Sequence, residues 1–209
     1  MIRSLHLGSW LGGVAGFGWR DDRAAQLVEF AVALPLLVLF VVGIFDFSNA
    51  FTFKQKLTNI ARDAARVAAA DPANDLQSPL PVSVIDAFLV VYNDLLANKI
   101  NDCGILTSPP SKTGLSWMYI ATTNCPPGGL TIIINRGFYF PAAAAIQPAN
   151  VNCQATPLSG GPNQIAVIGT CVSIQYAYAW RFGNVANLLG RSTGLPTTIS
   201  AASVAMNEN

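Results

Sequence analysis

Few side chains in this sequence have chemistry to offer, and their positions narrow what that chemistry is. A hydrolytic triad needs a base such as histidine within reach of its nucleophile, and the single histidine, His6, stands near the N-terminus, far in sequence from every cysteine. Asp86, Asp94 and Asp102 supply carboxylates, but they fall on the polar side of one expected helix instead of facing each other across a substrate. There is no glycine-rich phosphate loop and no nucleotide fingerprint. A zinc site is not expected either, since no C-x-x-C pair occurs. No residue is therefore expected to be catalytic, cofactor-binding or metal-ligating, and the expectation is a protein that is not an enzyme.

What remains is thiol chemistry and one acid in apolar surroundings. Cys103, Cys125, Cys153 and Cys171 all lie beyond residue 100. Four cysteines permit three pairings, among which sequence does not choose. Pairing between sequence neighbours, Cys103 with Cys125 and Cys153 with Cys171, is the expectation, and buried free thiols are the alternative. The acid is Glu29, the one charged residue between positions 24 and 45. A carboxylate near a bilayer centre costs about 2.5 to 3.5 kcal/mol. Glu29 must therefore sit near an interface or find a partner.

The elements that position these groups begin with a membrane segment. Charged residues are 11% of the chain and hydrophobic ones 52%, against about 25% charged in soluble domains, so part of the chain meets lipid. At about 1.5 Å per residue the run 24–45 reaches roughly 33 Å, enough for one crossing of a hydrocarbon core of about 30 Å. Pro35 lies inside it, where membrane helices tolerate proline. Arg3, Arg20 and Arg23 precede the run and Lys54 and Lys56 follow more distantly, which favours a cytoplasmic N-terminus. The net charge of +1 gives no field to gather nucleic acid or an acidic small-molecule substrate.

The helical pattern continues past the run. Ala50, Phe53, Leu57, Ile60, Ala64 and Val67 recur at steps of three and four, an amphipathic stripe that packs on the chain's own domain, on neighbouring helices, or on both. Ala61, Ala64, Ala65 and Ala68 would let other helices approach closely. Asp71-Pro72 ends the helix. A second helix is expected over 82–99, with Ile85, Phe88, Leu89, Tyr92, Leu95 and Leu96 on its buried face and Ser83 with Asp86 as a capping pair. Strands are expected over 115–120 and 130–135, joined by the turn chemistry of Cys125-Pro-Pro-Gly-Gly129, then over 172–180 and 198–206. The fold class is α+β: a leader (1–23), a transmembrane helix (24–45), its amphipathic continuation (46–70) and an exported helix-plus-antiparallel-sheet domain (71–209). Asp46 reads as a water-facing marker at the far edge of the span, and Arg62 and Arg66 as a solvated face.

Three stretches carry a resemblance: Ala25-Gln-Leu-Val-Glu29-Phe30-Ala-Val-Ala-Leu-Pro35-Leu-Leu, then Gly43-Ile-Phe-Asp46-Phe, then Leu57-Thr-Asn-Ile-Ala-Arg62-Asp-Ala-Ala-Arg66. Together they resemble the N-terminal signature of TadE-like proteins, minor pilins or pseudopilins of the tight-adherence, Flp-type pilus and secretion system. The closing Ala201-Ala-Ser-Val-Ala-Met-Asn-Glu208 resembles the end of that family. The resemblance implies a single-pass protein of the inner membrane with its domain outside the cytoplasm. It also implies a prepilin peptidase, other pilin-type subunits and a pilus assembly platform as partners.

In the family's pattern the glutamate is the fifth residue of the mature chain and an aromatic follows it. Glu29 and Phe30 fit, placing the cut between Ala24 and Ala25, with Ala24 standing where glycine is usual. A freed amine on Ala25 would lie four residues from Glu29 on one helical face, or Glu29 would accept the amine of a neighbouring subunit and set its register. The competing reading is a secretory signal cut after Ala50, with small residues at Ser48 and Ala50, releasing a soluble binding module.

Overall fold

The computed structural model describes residues 22–141, 153, 166–181 and 196–208; of the leader expected over 1–23, all but its last two residues lie outside them. The chain falls into two compact units, Met1–Val42 and Gly43–Asn209. Helix α1, Asp22–Ala70, contains Pro35 and remains helical through it. Its N-terminal part exposes Leu27, Val28, Phe30, Val32, Leu36 and Phe40. The mean hydropathy of its most apolar window is 2.7, and the helix is long and apolar enough to cross a membrane.

The second unit is an α+β domain. Its five strands, β1 (Ser111–Thr113), β2 (Ser116–Ala121), β3 (Leu130–Pro141), β4 (Ala166–Ala177) and β5 (Thr198–Met206), form one sheet in sequence order, every neighbouring pair antiparallel. Side chains alternate across a pleated strand, and register aligns the inward sets. Trp117, Ile134, Val172 and Ser203 form one row across the sheet, Tyr119, Ile132, Ile174 and Ala201 the next, and Ala121, Leu130, Tyr176 and Ile199 a third. All but Ser203 are buried.

Helices α1 and α2 (Val82–Ala97) cover this face: Phe53 of α1 meets Tyr176 with ring centroids 5.2 Å apart, and Phe88 of α2 stacks on Tyr119 at 4.3 Å. Leu57, Ile60, Ala61, Ala64, Ala65 and Ala68 of α1 join Val84, Ala87, Val91 and Leu95 of α2 in one core with the strands. The small side chains at 61, 64, 65 and 68 are themselves buried in that core. The alanine face is thus used inside the chain, not held open for other helices.

Several boundaries differ from the sequence reading. Val67, expected on the stripe, is 36% exposed, because the buried face runs through Ala61, Ala65 and Ala68 instead. In α2 the buried face is Val84, Ala87, Phe88, Val91 and Leu95, while Leu89 and Leu96 are exposed. That helix is apolar nearly all round, which leaves the phase of its stripe to tertiary packing. Ser83 is not the cap: the N-cap is Pro81, the Val82 N–H donates to Asp75 Oδ2 at 2.8 Å, and Ser83 is buried.

Strand β2 starts at Ser116, since Leu115 belongs to the turn after Gly114, whose φ of 61° requires the left-handed region. Strand β4 begins at Ala166 and ends at Ala177, because its partner β3 starts only at Leu130, opposite Tyr176. Tyr178 and Trp180 continue the alternation beyond the ladder. Gly129 allows the β2–β3 turn: its φ is 62°, and a Cβ there would strike the Ala121 carbonyl.

The four cysteines form two disulfides, Cys103–Cys125 and Cys153–Cys171, with Cα atoms 5.4 and 5.5 Å apart. The first ties the segment after α2 to the β2–β3 turn. The second fastens Cys153 to the middle of β4, and the Asn135 side-chain amide donates to the Cys153 carbonyl at 2.7 Å.

Leu57 is fully buried where α1 meets the core. Leu57→Ala should cost about 2 to 5 kcal/mol of stability, read as a lower denaturant midpoint in detergent, whereas Arg62→Ala on the exposed face should change it little.

Candidate functional site

Ala24 and Ala25, the expected processing positions, lie in the first turn of α1. Glu29 and Phe30 follow on the same helix, both exposed. Glu29 stands at the head of a shallow surface lined by Val32, Ala33, Leu36, Leu37 and Phe40, residues that share one face at helical spacing. A single carboxylate therefore opens an otherwise apolar face. Helical backbone through Ala25 and Glu29 puts these two positions one turn apart, as the amine–acid pairing requires.

Asp46 does not face water. It is 3% exposed and accepts a hydrogen bond from the Tyr178 hydroxyl. Tyr178 is half-buried between Phe53 and Trp180, with ring centroids 5.8 and 5.0 Å away. Burial first, and Asp46 second, push the phenol above its ordinary pKa of 10.0. Two elements distant in sequence are thereby joined at the start of the domain's share of α1. The acid is withdrawn from the surface because a hydroxyl on the chain beyond β4 reaches it.

At the other end of α1 the structure assembles a site that sequence reasoning missed. Arg136 is fully buried. Its guanidinium donates to the carbonyls of Ala68 and Asp71, the latter at 2.9 Å, to Thr170 Oγ1 at 2.9 Å and to Asn207 Oδ1 at 3.5 Å. Thr170 in turn donates to Asn207 Oδ1 at 2.7 Å, and the Glu208 backbone N–H donates to the Ala69 carbonyl at 3.3 Å. The last turn of a helix leaves carbonyls unpartnered and carries partial negative charge. One cation from β3, helped by β4 and the residues after β5, satisfies those carbonyls.

The electrostatics around Arg136 follow from its burial. Desolvation lowers its pKa below the ordinary guanidinium range, opposed by the nearby Asp71 and Asp75. Asp71 is shifted upward from 3.8, by burial first and then by Asp86. The signal for Arg136 was parity: it continues the inward-facing series Leu130, Ile132 and Ile134, one residue past the expected strand end. The ladder shifts register between Asn135 and Phe138, and Asn135 Oδ1 accepts the Gly137 N–H at 2.9 Å, a bulge that a strand ending at 135 did not foresee.

Asp86 and Asp94 lie on α2, and Asp102 follows it. Among the described residues no cluster of three or more histidine, cysteine, aspartate or glutamate side chains is placed to hold a metal ion. Arg62 and Arg66 are exposed.

Among the described residues, one helix is long and apolar enough to span a membrane, and a disulfide-bonded α+β domain follows it in the chain. Residues 24–66 match the family model described as TadE-like protein, the same family whose signature the N-terminal helix resembles. The match thus falls on the apolar N-terminal part of α1 and on most of its core-forming part. No curated protein and no solved structure matches the chain.

Arg136→Met should cost about 3 kcal/mol or more, because it strands helix carbonyls in the interior, and the loss should appear as a lower denaturant midpoint. The Asp71 carboxyl has the opposite sign to a salt-bridged acid. Its folded-state pKa lies above 3.8, so the folded state binds more protons, and stability falls as pH rises from the unfolded value through the folded one. Asp71→Asn should therefore stabilise the protein at neutral pH, with the difference from wild type shrinking as the pH is lowered below about 4.

Proposed function

We propose that this chain is a membrane-anchored minor pilin or pseudopilin that contributes to assembly of a Flp/Tad-type pilus or secretion apparatus. It crosses the inner membrane once, with its N-terminus in the cytoplasm and its disulfide-bearing domain outside. The observation that carries this reading is the TadE-like match over residues 24–66, on a helix apolar enough to span a bilayer. Two disulfides fit an oxidising compartment, and Arg20 and Arg23 ahead of the span fit an N-terminus inside. The role is one of assembly and not of catalysis. Its partners are other pilin-type subunits, a prepilin peptidase and an assembly platform.

The exposed Glu29 gives this role a mechanism. In lipid an unpaired carboxylate is costly, and an amine supplied by cleavage before Ala25 is the group that relieves it. Before cleavage that amine does not exist. Processing then switches the helix from a simple anchor to a subunit that prefers a filament, where Glu29 meets a neighbour's terminus and fixes register.

A cut after Ala50, releasing a secreted module, is the competing reading, and packing counts against it. Asp46 and Ala50 are buried, and Phe47 packs on Trp180 at 5.2 Å. A chain beginning at Phe51 would lose each of these contacts.

Glu29→Ala should leave the protein inserted and stable but remove it from sheared surface filaments. Normal recovery of the variant in filaments would eliminate the assembly role of this acid. N-terminal sequencing of the mature protein separates the readings: a start at Ala25 fits the pilin, Phe51 the secreted module and Met1 an uncleaved anchor.

A further inference from the structure

The domain's rim at Phe47 is aromatic and open. Phe47 and Phe51 are 54% and 65% exposed, although Phe47 also packs on Trp180, whose indole N–H donates to the Pro196 carbonyl at 2.6 Å. Phe47, Ala50, Phe51, Lys54, Trp180 and Pro196 wall most of a cleft of about 280 Å³. Exposed apolar surface of this kind marks an interaction site, and three observations select its occupant.

The first is depth. The apolar run ends at Phe45, and at about 1.5 Å per residue Phe47 and Phe51 stand roughly 3 and 9 Å beyond it along the helix. A headgroup layer about 5 to 7 Å thick flanks each side of a hydrocarbon core, so Phe47 lies within it, while Phe51 starts just outside with its side chain tilted back toward the helix N-terminus and the layer. The second is composition, since tryptophan and tyrosine with their polar tips favour that layer. The third is charge. No carboxylate lines the cleft, Lys54 does, and Arg181 directly follows Trp180 and is exposed. Asp46, the acid nearest this level in sequence, is buried against Tyr178.

We propose that this cleft is a lipid-docking site, which seats the rim of the domain in the headgroup layer of the leaflet from which α1 emerges. Phe47 and Trp180 lie against the glycerol region, and the Phe51 ring reaches the outer edge of the headgroup layer. The Lys54 ammonium, on a stem long enough to reach back, meets lipid phosphate. This placement rests on the membrane-anchored reading and adds that the domain is held against the bilayer, not carried free above it.

The test uses the full chain in vesicles of phosphatidylcholine and phosphatidylglycerol whose acyl chains bear a nitroxide either near the carbonyl or near the chain end. The Trp180 signal is the difference in fluorescence between wild type and Trp180→Phe. Docking predicts that the shallow nitroxide quenches this signal more than the deep one, and that Phe51→Ser and Lys54→Glu, both at exposed positions, reduce the shallow quenching. A Trp180 signal quenched by aqueous acrylamide and by neither nitroxide overturns the docking site, as does shallow quenching unchanged in both variants. Flotation with the vesicles separates the two levels. A chain that floats with an unquenched Trp180 keeps its anchor and loses the docking site, and one that does not float loses both.

Discussion

The burial of one face of helix α1 against the sheet is the interaction on which the rest of the molecule depends. An apolar helix residue can be removed from water by lipid or by protein, and the chain itself covers only one end of α1. Leu27, Phe30, Leu36 and Phe40 are exposed within the chain, whereas Leu57, Ile60, Ala61, Ala64, Ala65 and Ala68 are enclosed by it. Apolar surface is worth roughly 25 cal/mol per Å² removed from water, so neither end is stable bare. The sheet needs the helix equally, because rows such as Tyr119, Ile132 and Ile174 would otherwise face solvent. Removing residues 50–69 of α1 would therefore take away part of the domain's own core.

The stretch of α1 that belongs to the domain is tied at both of its ends. At one end Asp46 and Phe47 are met by Tyr178 and Trp180. At the other, Arg136, Thr170, Asn207 and the Glu208 backbone close over the carbonyls of Ala68, Ala69 and Asp71. A buried arginine with oxygen acceptors from three directions carries a high penalty for misplacement. That gives the residues following β5 a physical role, since Asn207 accepts from both Arg136 and Thr170.

The sequence showed the long helix, the last strand and the α+β class because their periodicities are long and their ends are marked by Asp71-Pro72 and by turn residues. It misplaced what tertiary contact decides. The buried face of α2 could not be phased from a helix apolar on most sides. Ser83 resembled a cap, yet Asp75 fills that role from a loop seven residues earlier. Asp46 read as a water-facing edge because its partner, Tyr178, is remote in sequence. Arg136 was overlooked because a charged residue after an apolar run looks like a strand end, although its parity with Ile132 and Ile134 points inward. The candidate site at Glu29 was legible because a lone acid in an apolar run is conspicuous without any tertiary information.

The claim that the C-terminal half of α1 and the sheet are one cooperative element is most directly tested by hydrogen exchange of the full chain in lipid nanodiscs, across a denaturant series. The amides of residues 57–69 should open with the same free energy as those of Ile132, Ile134, Val172 and Ile174, merging into one unfolding unit. Exchange of 57–69 at low denaturant while the strand amides stay protected would contradict it, showing that the sheet stands without the helix.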